Sequence, residues 1–453
     1  MEKRIDLLNG SIGSVLLKLA LPLMATSLIQ MAYNMTDMIW IGRLGAGAVA
    51  AVGVAGMFTW LSTGLVTLAR TGGQTRVGHR LGANDVEGAA KYTQAALQLC
   101  LSLSIIYSLV LMIFTPQLID FFRLSDPKVV SDATGYLRII GLGMPLVFFT
   151  QIMTAFLTVT GNSHTPFRIN AVGLVANIVL DPLFIFGFGP IPALGAVGAG
   201  VATVTGQFLV AAQFLAVALK DKHLFCHVHI FSRPDFAKIG DIFRLSLPAA
   251  FQNMLFPLIA MVISRLVASF GDNAIAVQKV GSQIESVSWV IADGFAVAVN
   301  SFMAQNWGAK NLHRAKKGFF TALGLMTAWG LITTTLLFVF AAPIFQVFIP
   351  DPTVTSMGVD YLKILSYSQM FMCWQIMIVG AFAGLGQTLI PSAICSTFSA
   401  ARIPMALILS STALGLCGIW WSISISSIIQ GTLCLILFLL LLKKLSNQQN
   451  LSI

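Results

Sequence analysis

The chain has 453 residues, of which 57% are hydrophobic and only 10% are charged, and its formal net charge is +10. Soluble globular proteins carry roughly 25% charged residues. This composition therefore excludes an ordinary soluble protein, because the chain cannot cover itself with a solvated surface.

Apolar runs follow one another along the whole chain. Crossing a bilayer takes about 20 apolar residues in a helix, and the runs lack the alternation of barrel strands. They predict an all-α polytopic membrane protein whose first run is a retained span rather than a signal peptide. The twelve predicted transmembrane helices cover residues 15–41, 49–74, 92–116, 136–158, 169–188, 195–219, 245–269, 274–303, 318–346, 360–383, 392–413 and 416–442.

Basic residues are concentrated in every second connecting segment. Because such residues stay in the cytoplasm during insertion, both termini are expected to be cytoplasmic. The net positive charge is then explained by topology next to anionic lipid, and no nucleic-acid partner is expected. The basic segments hold Lys3, Arg4, Arg76, Arg80, Lys91, Arg168, Lys220, Lys222, Arg233, Lys238, Arg244, Lys310, Arg314, Lys316, Lys317, Lys443 and Lys444.

The sequence repeats itself at a nearly constant offset in residue number. "LALPL" at 19–23 matches "LSLPA" at 245–249, and "TGNSHTP" at 160–166 matches "LGQTLIP" at 385–391. One offset held across separated segments indicates an internal duplication. Two six-span copies enter the membrane from the same side, so they form parallel repeats of the kind found in transporters.

The repeat predicts three regions of the chain. Residues 1–219 would form an N-terminal six-helix lobe, residues 220–244 a cytoplasmic loop between the lobes, and residues 245–453 a C-terminal six-helix lobe. Rocking of two bundles is the natural mechanism for such a layout.

Two acidic residues lie deep in the predicted spans of the first lobe. A charge at the bilayer centre costs roughly 2.5–3.5 kcal/mol on insertion scales, so it should face a cavity or a partner. Asp37 and Asp181 are both expected roughly 7–11 Å below the outer surface, at 1.5 Å per residue. A pair of carboxylates suits a proton or a hard monovalent cation. The alternative is that each acid satisfies a neighbouring backbone group or Arg70.

Polar side chains recur at helical spacing around these acids. Asn170, Asn177 and Asp181 share one face of the fifth span, and Thr203 and Gln207 share a face of the sixth. We assign a further group to the substrate cavity or its polar network, namely Asn34, Gln151, Thr154, Asn170 and Gln207.

The second lobe carries Glu285 and Asp293 in its second span, about 80° apart around the helix. They are expected either as a structural pair or as a second coupling site, with Lys279 and Arg265 available to neutralise Glu285. In the first span, Pro22 removes a hydrogen bond and can kink the helix, either statically or as a switch.

Other chemistry has little support in the sequence. The six cysteines show no paired spacing, and "GLGQTLIP" lacks the lysine of a phosphate-binding loop. No His/Ser/Cys triad or metal constellation occurs at one depth. Neither an enzyme, a metal site nor a cofactor is expected, apart from a proton or sodium ion as coupling ion.

The chain resembles the multidrug and toxic compound extrusion (MATE) family. The resemblance rests on the two repeats, on "LPLMATSLIQMAYNMTDMIWIGRLG", on the paired "RLGAND" and "NWGAKN" loops, and on "ANIVLDP". It implies a V-shaped pair of six-helix lobes. It also implies export of amphipathic, often cationic drugs and toxins by proton or sodium antiport. The transporter is expected to be a monomer in the plasma membrane.

The acids resemble those of the DinF-like branch of the family. That likeness implies Asp37 and Asp181 as the coupling pair, Asn177 and Thr203 as helpers in cation binding, and Pro22 as the bending proline. The sodium-coupled branch has acids in its seventh and tenth spans. Here the seventh span has Gln252 and Asn253 and no acid. The comparison therefore favours a coupling site in the N-terminal lobe.

Two alternatives remain open at this point. A flippase for lipid-linked saccharide precursors shares the two-lobe design but usually needs a more cationic central cavity, and the in-span arginines here are few. The second alternative is a membrane-embedded enzyme or a receptor that does not transport.

Overall fold

A computed structural model describes residues 4–122, 124, 126–189, 192–348 and 351–451. Over these residues the chain forms fourteen α-helices and one short 3₁₀ helix at Phe225–His227. The helices are α1 (Ile12–Gly42), α2 (Ala46–Gly82), α3 (Val86–Asp120), α4 (Pro127–Val159), α5 (His164–Phe186), α6 (Ala196–Lys220), α7 (Phe236–Ala268), α8 (Asp272–Gly308), α9 (Leu312–Val339), α10 (Ala341–Phe348), α11 (Pro352–Gly384), α12 (Leu389–Ala400), α13 (Arg402–Ser410) and α14 (Leu416–Leu451).

Twelve helical segments of the described chain are long and apolar enough to cross a membrane, with α12 and α13 counted together as Leu389–Ser410. Many of their outward side chains remain apolar: Ile113, Leu142 and Val179 are 63%, 62% and 61% exposed. Such surface suits lipid rather than water. The prediction of an all-α protein with twelve transmembrane helices is confirmed.

The helices are longer than the apolar runs because polar residues cap their ends. Asp85 accepts a hydrogen bond from the backbone N–H of Gly88 at 2.8 Å and so starts α3. Asp126 and Asp351 cap α4 and α11 in the same way, each followed by a proline in the first turn. Proline suits that position, since its missing N–H would be unpaired there anyway. Hydropathy alone locates only the apolar part of each helix.

The internal repeat is visible in the backbone. Helices α2 and α8 correspond at the repeat offset, and both have 37 residues. Helices α4 and α11 correspond in the same way, and both have 33 residues. The turn between α2 and α3 places Asn84 at φ 57°, and its counterpart Lys310 has φ 58°. Two copies of one six-helix unit therefore build the chain.

The chain divides into two compact units. The N-terminal unit contains residues 4–6 and 21–250, and the C-terminal unit contains residues 7–20 and 251–451. These bounds differ from the predicted division at 219 and 245, because both α1 and α7 are shared between the units.

Hydrogen bonds explain why α1 and α7 are shared. In the N-terminal unit, the first part of α7 is bonded to α2, since Ser246 Oγ accepts from the N–H of Gly72 at 2.8 Å. In the C-terminal unit, Arg314 Nη2 of α9 donates to the carbonyl of Asn9, in the segment that leads directly into α1, at 2.8 Å. The predicted loop 220–244 is also shorter than expected. Helix α7 begins at Phe236, and Asp235 accepts from the N–H of Lys238 at 3.1 Å.

Close packing of α5 on α6 positions the site of the N-terminal unit. A Cβ atom on Gly198 would lie 2.2 Å from the carbonyl oxygen of Phe184, and one on Gly173 would lie 2.4 Å from Val210. Only glycine permits these approaches. They bring the polar face of α6 against Asn177 and Asp181 on α5.

Candidate functional site: an acidic pair in the N-terminal unit

Asp37 and Asp181 come together in the N-terminal unit. Asp181 on α5 is fully buried, and Asp37 on α1 is partly buried. They lie close enough that the charge of Asp37 acts on the carboxyl group of Asp181. Among the described residues, neither acid forms an ion pair with Arg70, whose Nη1 donates to Gln151 Oε1 at 3.4 Å. The alternative in which Arg70 neutralises the acids is therefore wrong.

Asn177 orients the buried acid from one turn earlier on α5. Its Nδ2 donates a hydrogen bond to Asp181 Oδ1 at 3.0 Å, and the Asn177 side chain is itself fully buried. A spacing of four residues puts both side chains on one helix face. This single bond leaves Asp181 Oδ2 and Asn177 Oδ1 without partners.

Tyr33 and Thr203 complete the site from α1 and α6. The Tyr33 hydroxyl lies beside Thr203 Oγ1 and within the electrostatic range of both acids. Neither oxygen has a hydrogen-bond partner of normal geometry. The sequence predicts Thr203 at this site but not Tyr33. The position of Tyr33 one turn before Asp37 is the signal that could have found it.

Five buried oxygen atoms around the acids thus lack partners. Buried polar atoms are normally hydrogen-bonded, so each exception calls for an explanation. Carboxylate, amide and hydroxyl oxygens are the ligands of hard cations, and a proton on either carboxyl group would also supply a donor. The five atoms are Tyr33 Oη, Asp37 Oδ1, Asn177 Oδ1, Asp181 Oδ2 and Thr203 Oγ1.

Within the described residues, no group of three or more His, Cys, Asp or Glu side chains is arranged so that it could hold a metal ion. The oxygen atoms of the acidic pair therefore belong to a mixed set with only two formal negative charges. Capture of one proton or one monovalent cation would remove one of these two negative charges and with it the repulsion between the acids.

A small cleft with a mixed polar and apolar lining adjoins the acidic pair between α1, α5 and α6. Its polar lining includes Gln30, Tyr33, Asn170 and Gln207. Asn170 Nδ2 donates to the carbonyl of Pro166 at 2.7 Å, and so it does not contact Asp181. Of the predicted cavity residues, the structure thus brings Asn170 and Gln207 to one cleft.

The other predicted cavity residues lie elsewhere in the unit. Thr154 Oγ1 donates to the carbonyl of Thr150 in its own helix at 2.8 Å. Gln151 accepts from Arg70, as described above, and Asn34 has an exposed side chain. None of the three is among the residues that line the cleft.

Pro22 lies inside α1, which remains helical from Ile12 to Gly42. The Thr26 hydroxyl donates to the Pro22 carbonyl at 2.8 Å. The division of α1 between the two units falls next to this proline, at Leu21. Bending of α1 at this proline stays a prediction, beside the alternative of a static kink.

In the C-terminal unit, Glu285 has partners other than those predicted. Its Oε1 accepts from Gln369 Nε2 at 2.9 Å, and the nearby positive charge is that of Arg402. The sequence predicts Lys279 and Arg265 in that role. They lie on the same helix or on the preceding one, whereas Gln369 and Arg402 come from α11 and α13.

The fold and the buried oxygen site define a polytopic membrane transporter. The MatE family model matches residues 22–183 and 248–408, one stretch in each repeat. The chain therefore belongs to the MATE family, whose members are transporters and not enzymes.

Curated relatives and a solved structure agree with this membership. The chain is 27% identical over 435 residues to the probable multidrug resistance protein NorM of Thermotoga maritima, covering 94% of this chain and 91% of the relative. It is 28% identical over 375 residues to a FAD transporter of Shewanella oneidensis, covering 81% and 80%. A crystal structure of MATE in complex with MaL6 has a TM-score of 0.92 at 21% identity, covering 99% of this chain and all of that one.

Proposed function

We propose that this protein is a secondary antiporter that exports amphipathic, often cationic small molecules in exchange for protons or sodium ions. The observation that carries the proposal is the group of five unpartnered oxygen atoms around Asp37 and Asp181. The name of the Thermotoga relative, a probable multidrug resistance protein, supports the substrate class. The flippase alternative is not favoured by these relatives.

The coupling ion binds between the two carboxylates. Two acids that are poorly hydrated and close together repel one another, so ionisation of both is unfavourable until a proton or sodium ion is captured. Asn177 holds one oxygen of Asp181 in place, which leaves the other oxygen to face the ion. Tyr33 and Thr203 supply neutral oxygens, as the DinF-like resemblance implies for Thr203.

Ion capture and substrate release are linked through α1. Capture removes the repulsion between α1 and α5, which changes the preferred position of Asp37. Pro22 provides a weak point about four turns earlier in the same helix, because a proline cannot donate the hydrogen bond that the helix needs there. Movement of the outer part of α1 then changes the packing beside the acids and drives release of the substrate.

The orientation in the membrane follows from charge. The basic segments lie at the end of each unit where α1 and α7 begin, and such segments stay in the cytoplasm. We place both termini in the cytoplasm and the protein in the plasma membrane, as a monomer surrounded by lipid.

Dye efflux from cells tests the proposed function. Wild type should lower dye accumulation, whereas Asp37→Asn should raise it to the level of cells without the transporter. Asp120→Asn is the matched control, since that acid is exposed at the end of α3. Full efflux by a well-expressed Asp37→Asn variant would reject the proposal.

A further inference from the structure

The segment that connects α6 to α7 forms a turn that is fixed on the surface of α3. Gln98 Nε2 donates hydrogen bonds to the carbonyls of Ile230 and Ser232, at 2.8 and 2.9 Å. Gln94 Nε2, one helical turn earlier, donates to Ser232 Oγ at 2.7 Å. The backbone N–H of Ser232 donates to the carbonyl of His229 at 3.0 Å, which closes the turn. The backbone at the tip of the turn is therefore held against α3 by side chains of that helix.

Phe231 stands at the tip of this turn with its ring fully open to the surroundings of the protein. Its relative exposure is 103%, whereas Leu224 and Phe225 at the base of the same segment are 1% and 8% exposed. Asp221 accepts hydrogen bonds from the backbone N–H groups of Leu224 and Phe225, at 2.8 and 3.0 Å. A segment that is anchored at both its base and its tip thus presents the ring outward.

The face of α3 that carries this turn continues as an exposed apolar surface. Leu101 and Ile105 follow Gln98 at spacings of three and seven residues, so they lie on its face of the helix. They are 44% and 45% exposed. The sequence has no charged residue between Gln98 and Asp120, and at 1.5 Å per residue this stretch is about 33 Å long, close to the thickness of a hydrocarbon core. The turn therefore lies at the edge of that core, at the depth of the lipid headgroups.

Helix α7, which follows the turn, also presents an exposed apolar face. Phe236, its first residue, is 78% exposed. Phe243 and Leu247 lie on the same helix face, at spacings of seven and eleven residues, and are 37% and 48% exposed. The two helices are neighbours, since the Tyr92 hydroxyl of α3 donates to Asp241 Oδ2 of α7 at 3.0 Å. The turn thus joins two adjacent helices whose exposed faces are both suited to lipid.

Positive charge accompanies the exposed ring. Arg233, two residues after Phe231, has an exposed side chain. The acid that is closest to it in the sequence, Asp235, is paired with Lys238. A basic side chain beside an exposed apolar ring is the combination that binds the surface of an anionic membrane.

We propose that residues 229–233 form an interfacial anchor, in which Phe231 inserts among the lipids of the adjoining leaflet and Arg233 bonds to a lipid phosphate. Aromatic rings are enriched at this depth, and such anchors reach about 5–10 Å into the boundary between headgroups and acyl chains. The connecting segment then forms part of the membrane surface. Only the naming of the leaflet as the cytoplasmic one depends on the proposed orientation, and the anchor itself does not depend on the proposed transport.

The test measures the depth of position 231 in the purified full-length protein. The protein is placed in vesicles of phosphatidylcholine and phosphatidylglycerol, in a buffer free of phosphate. Cys226→Ser and Cys417→Ser first remove the two cysteines that are not buried. Phe231→Cys then carries a nitroxide label, whose apolar ring takes the place of the phenylalanine ring. Collisions of the label with oxygen, which concentrates in lipid, are compared with collisions with a nickel chelate, which stays in water.

Lys222→Cys is the matched control, because Lys222 is exposed in the same connecting segment but is not part of the turn. We expect the ratio of oxygen to nickel collisions to be severalfold higher at position 231 than at position 222. A ratio at position 231 that is no higher than at position 222 would overturn the proposal. Low collision rates with both reagents at position 231 would also overturn it, since they would mean that another protein molecule covers the ring.

A second measurement concerns the hold of α3 on the turn. Gln98→Ala removes both hydrogen bonds to the backbone beside position 231, so the label there should become more mobile and its spectral lines narrower. Gln213→Ala is the control, because Gln213 bonds to the carbonyl of Leu209 within its own helix. An unchanged line shape in Gln98→Ala would contradict the fixed turn.

The last variant tests the phosphate contact. Arg233→Gln should lower the ratio of oxygen to nickel collisions at position 231, whereas Lys220→Gln, at an exposed basic residue at the end of α6, should not. An unchanged ratio in Arg233→Gln would overturn the bond to lipid phosphate. None of these variants changes Asp37 or Asp181, so failure of the anchor does not bear on the proposed function.

Discussion

Asn177 donates one hydrogen bond to Asp181, from Nδ2 to Oδ1 at 3.0 Å. Both side chains are fully buried. The bond fixes the rotation of the carboxyl group, so that its second oxygen faces the group of unpartnered oxygens. Orientation of a ligand by a neighbouring hydrogen bond is a general way in which proteins tune ion sites.

Asn177→Ala should therefore weaken ion binding without removing an acid. Losing a buried hydrogen bond to a charged group costs about 1–3 kcal/mol, which corresponds to about a fivefold to 150-fold loss of affinity. Titration of purified protein with sodium, or with protons, measures the change. Asn170→Ala is the control, because Asn170 bonds to Pro166 and does not contact Asp181. Equal affinities for Asn177→Ala and wild type would contradict the assigned role.

Pro22→Ala should slow transport while leaving ion binding in place. Alanine restores a backbone donor to the middle of α1, which stabilises the straight helix by about 0.5–1.5 kcal/mol. The outer part of α1 then bends less readily. Initial rates of efflux from proteoliposomes, beside an ion titration, separate the two effects.

Pro248→Ala provides the matched control, since that residue occupies the equivalent place in α7, in the second copy of the repeat. Pro248 lies on α7, which carries neither Asp37 nor Asp181. The transport rate of Pro248→Ala should therefore fall less than that of Pro22→Ala. A Pro22→Ala variant that transports at the wild-type rate would mean that the proline is only a static feature of α1.

Asp221, just outside the membrane-spanning part of α6, gives a prediction about pH. Burial alone would raise the pKa of its carboxyl group. The backbone N–H groups of Phe225 and Leu224, with the Arg4 guanidinium, outweigh burial and hold that pKa below its usual value. A pKa lower in the folded than in the unfolded protein stabilises the fold above the unfolded value, about 3.9.

Asp221→Asn should accordingly lower the free energy of unfolding at pH 7 by about 1–3 kcal/mol. The difference in free energy of unfolding between wild type and Asp221→Asn should shrink as the pH falls below about 3.9, because the wild-type carboxyl group then takes up a proton. Thermal unfolding in detergent at pH 7, 4 and 3 measures the difference. A deficit that is the same at pH 7 and pH 3 would show that the charge of Asp221 contributes nothing.

Much of the acidic site can be predicted because a charge in an apolar run is conspicuous. Asp37, Asp181 and Asn177 are recognisable for that reason, and helical spacing puts the last two on one face. Tyr33 cannot be found in the same way. Its ring is apolar enough to fit an apolar run, and only the approach of α1 to α6 brings its hydroxyl beside Thr203.

Contacts that are distant in the sequence cannot be predicted. The bond between Gly72 and Ser246 joins residues 174 positions apart, and no local pattern indicates that α7 is shared between the two units. Arg402 is recognisable in the sequence only as an in-span arginine, because α13 and α14 must be folded together before its guanidinium meets Ser426 and Ser427. Apolar length and the repeat offset, by contrast, are properties of the sequence itself, and they predict the helix number and the duplication.

The measurement that tests the account most directly is drug-triggered ion movement in proteoliposomes. Wild type is compared with Asp37→Asn, Asp181→Asn and the double variant, and Asp120→Asn serves as the control. If both acids hold one ion, each single variant should lose all coupled proton or sodium movement, and the double variant should be no worse. Single variants that each keep about half of the wild-type ion movement, with a complete loss only in the double variant, would contradict a shared site.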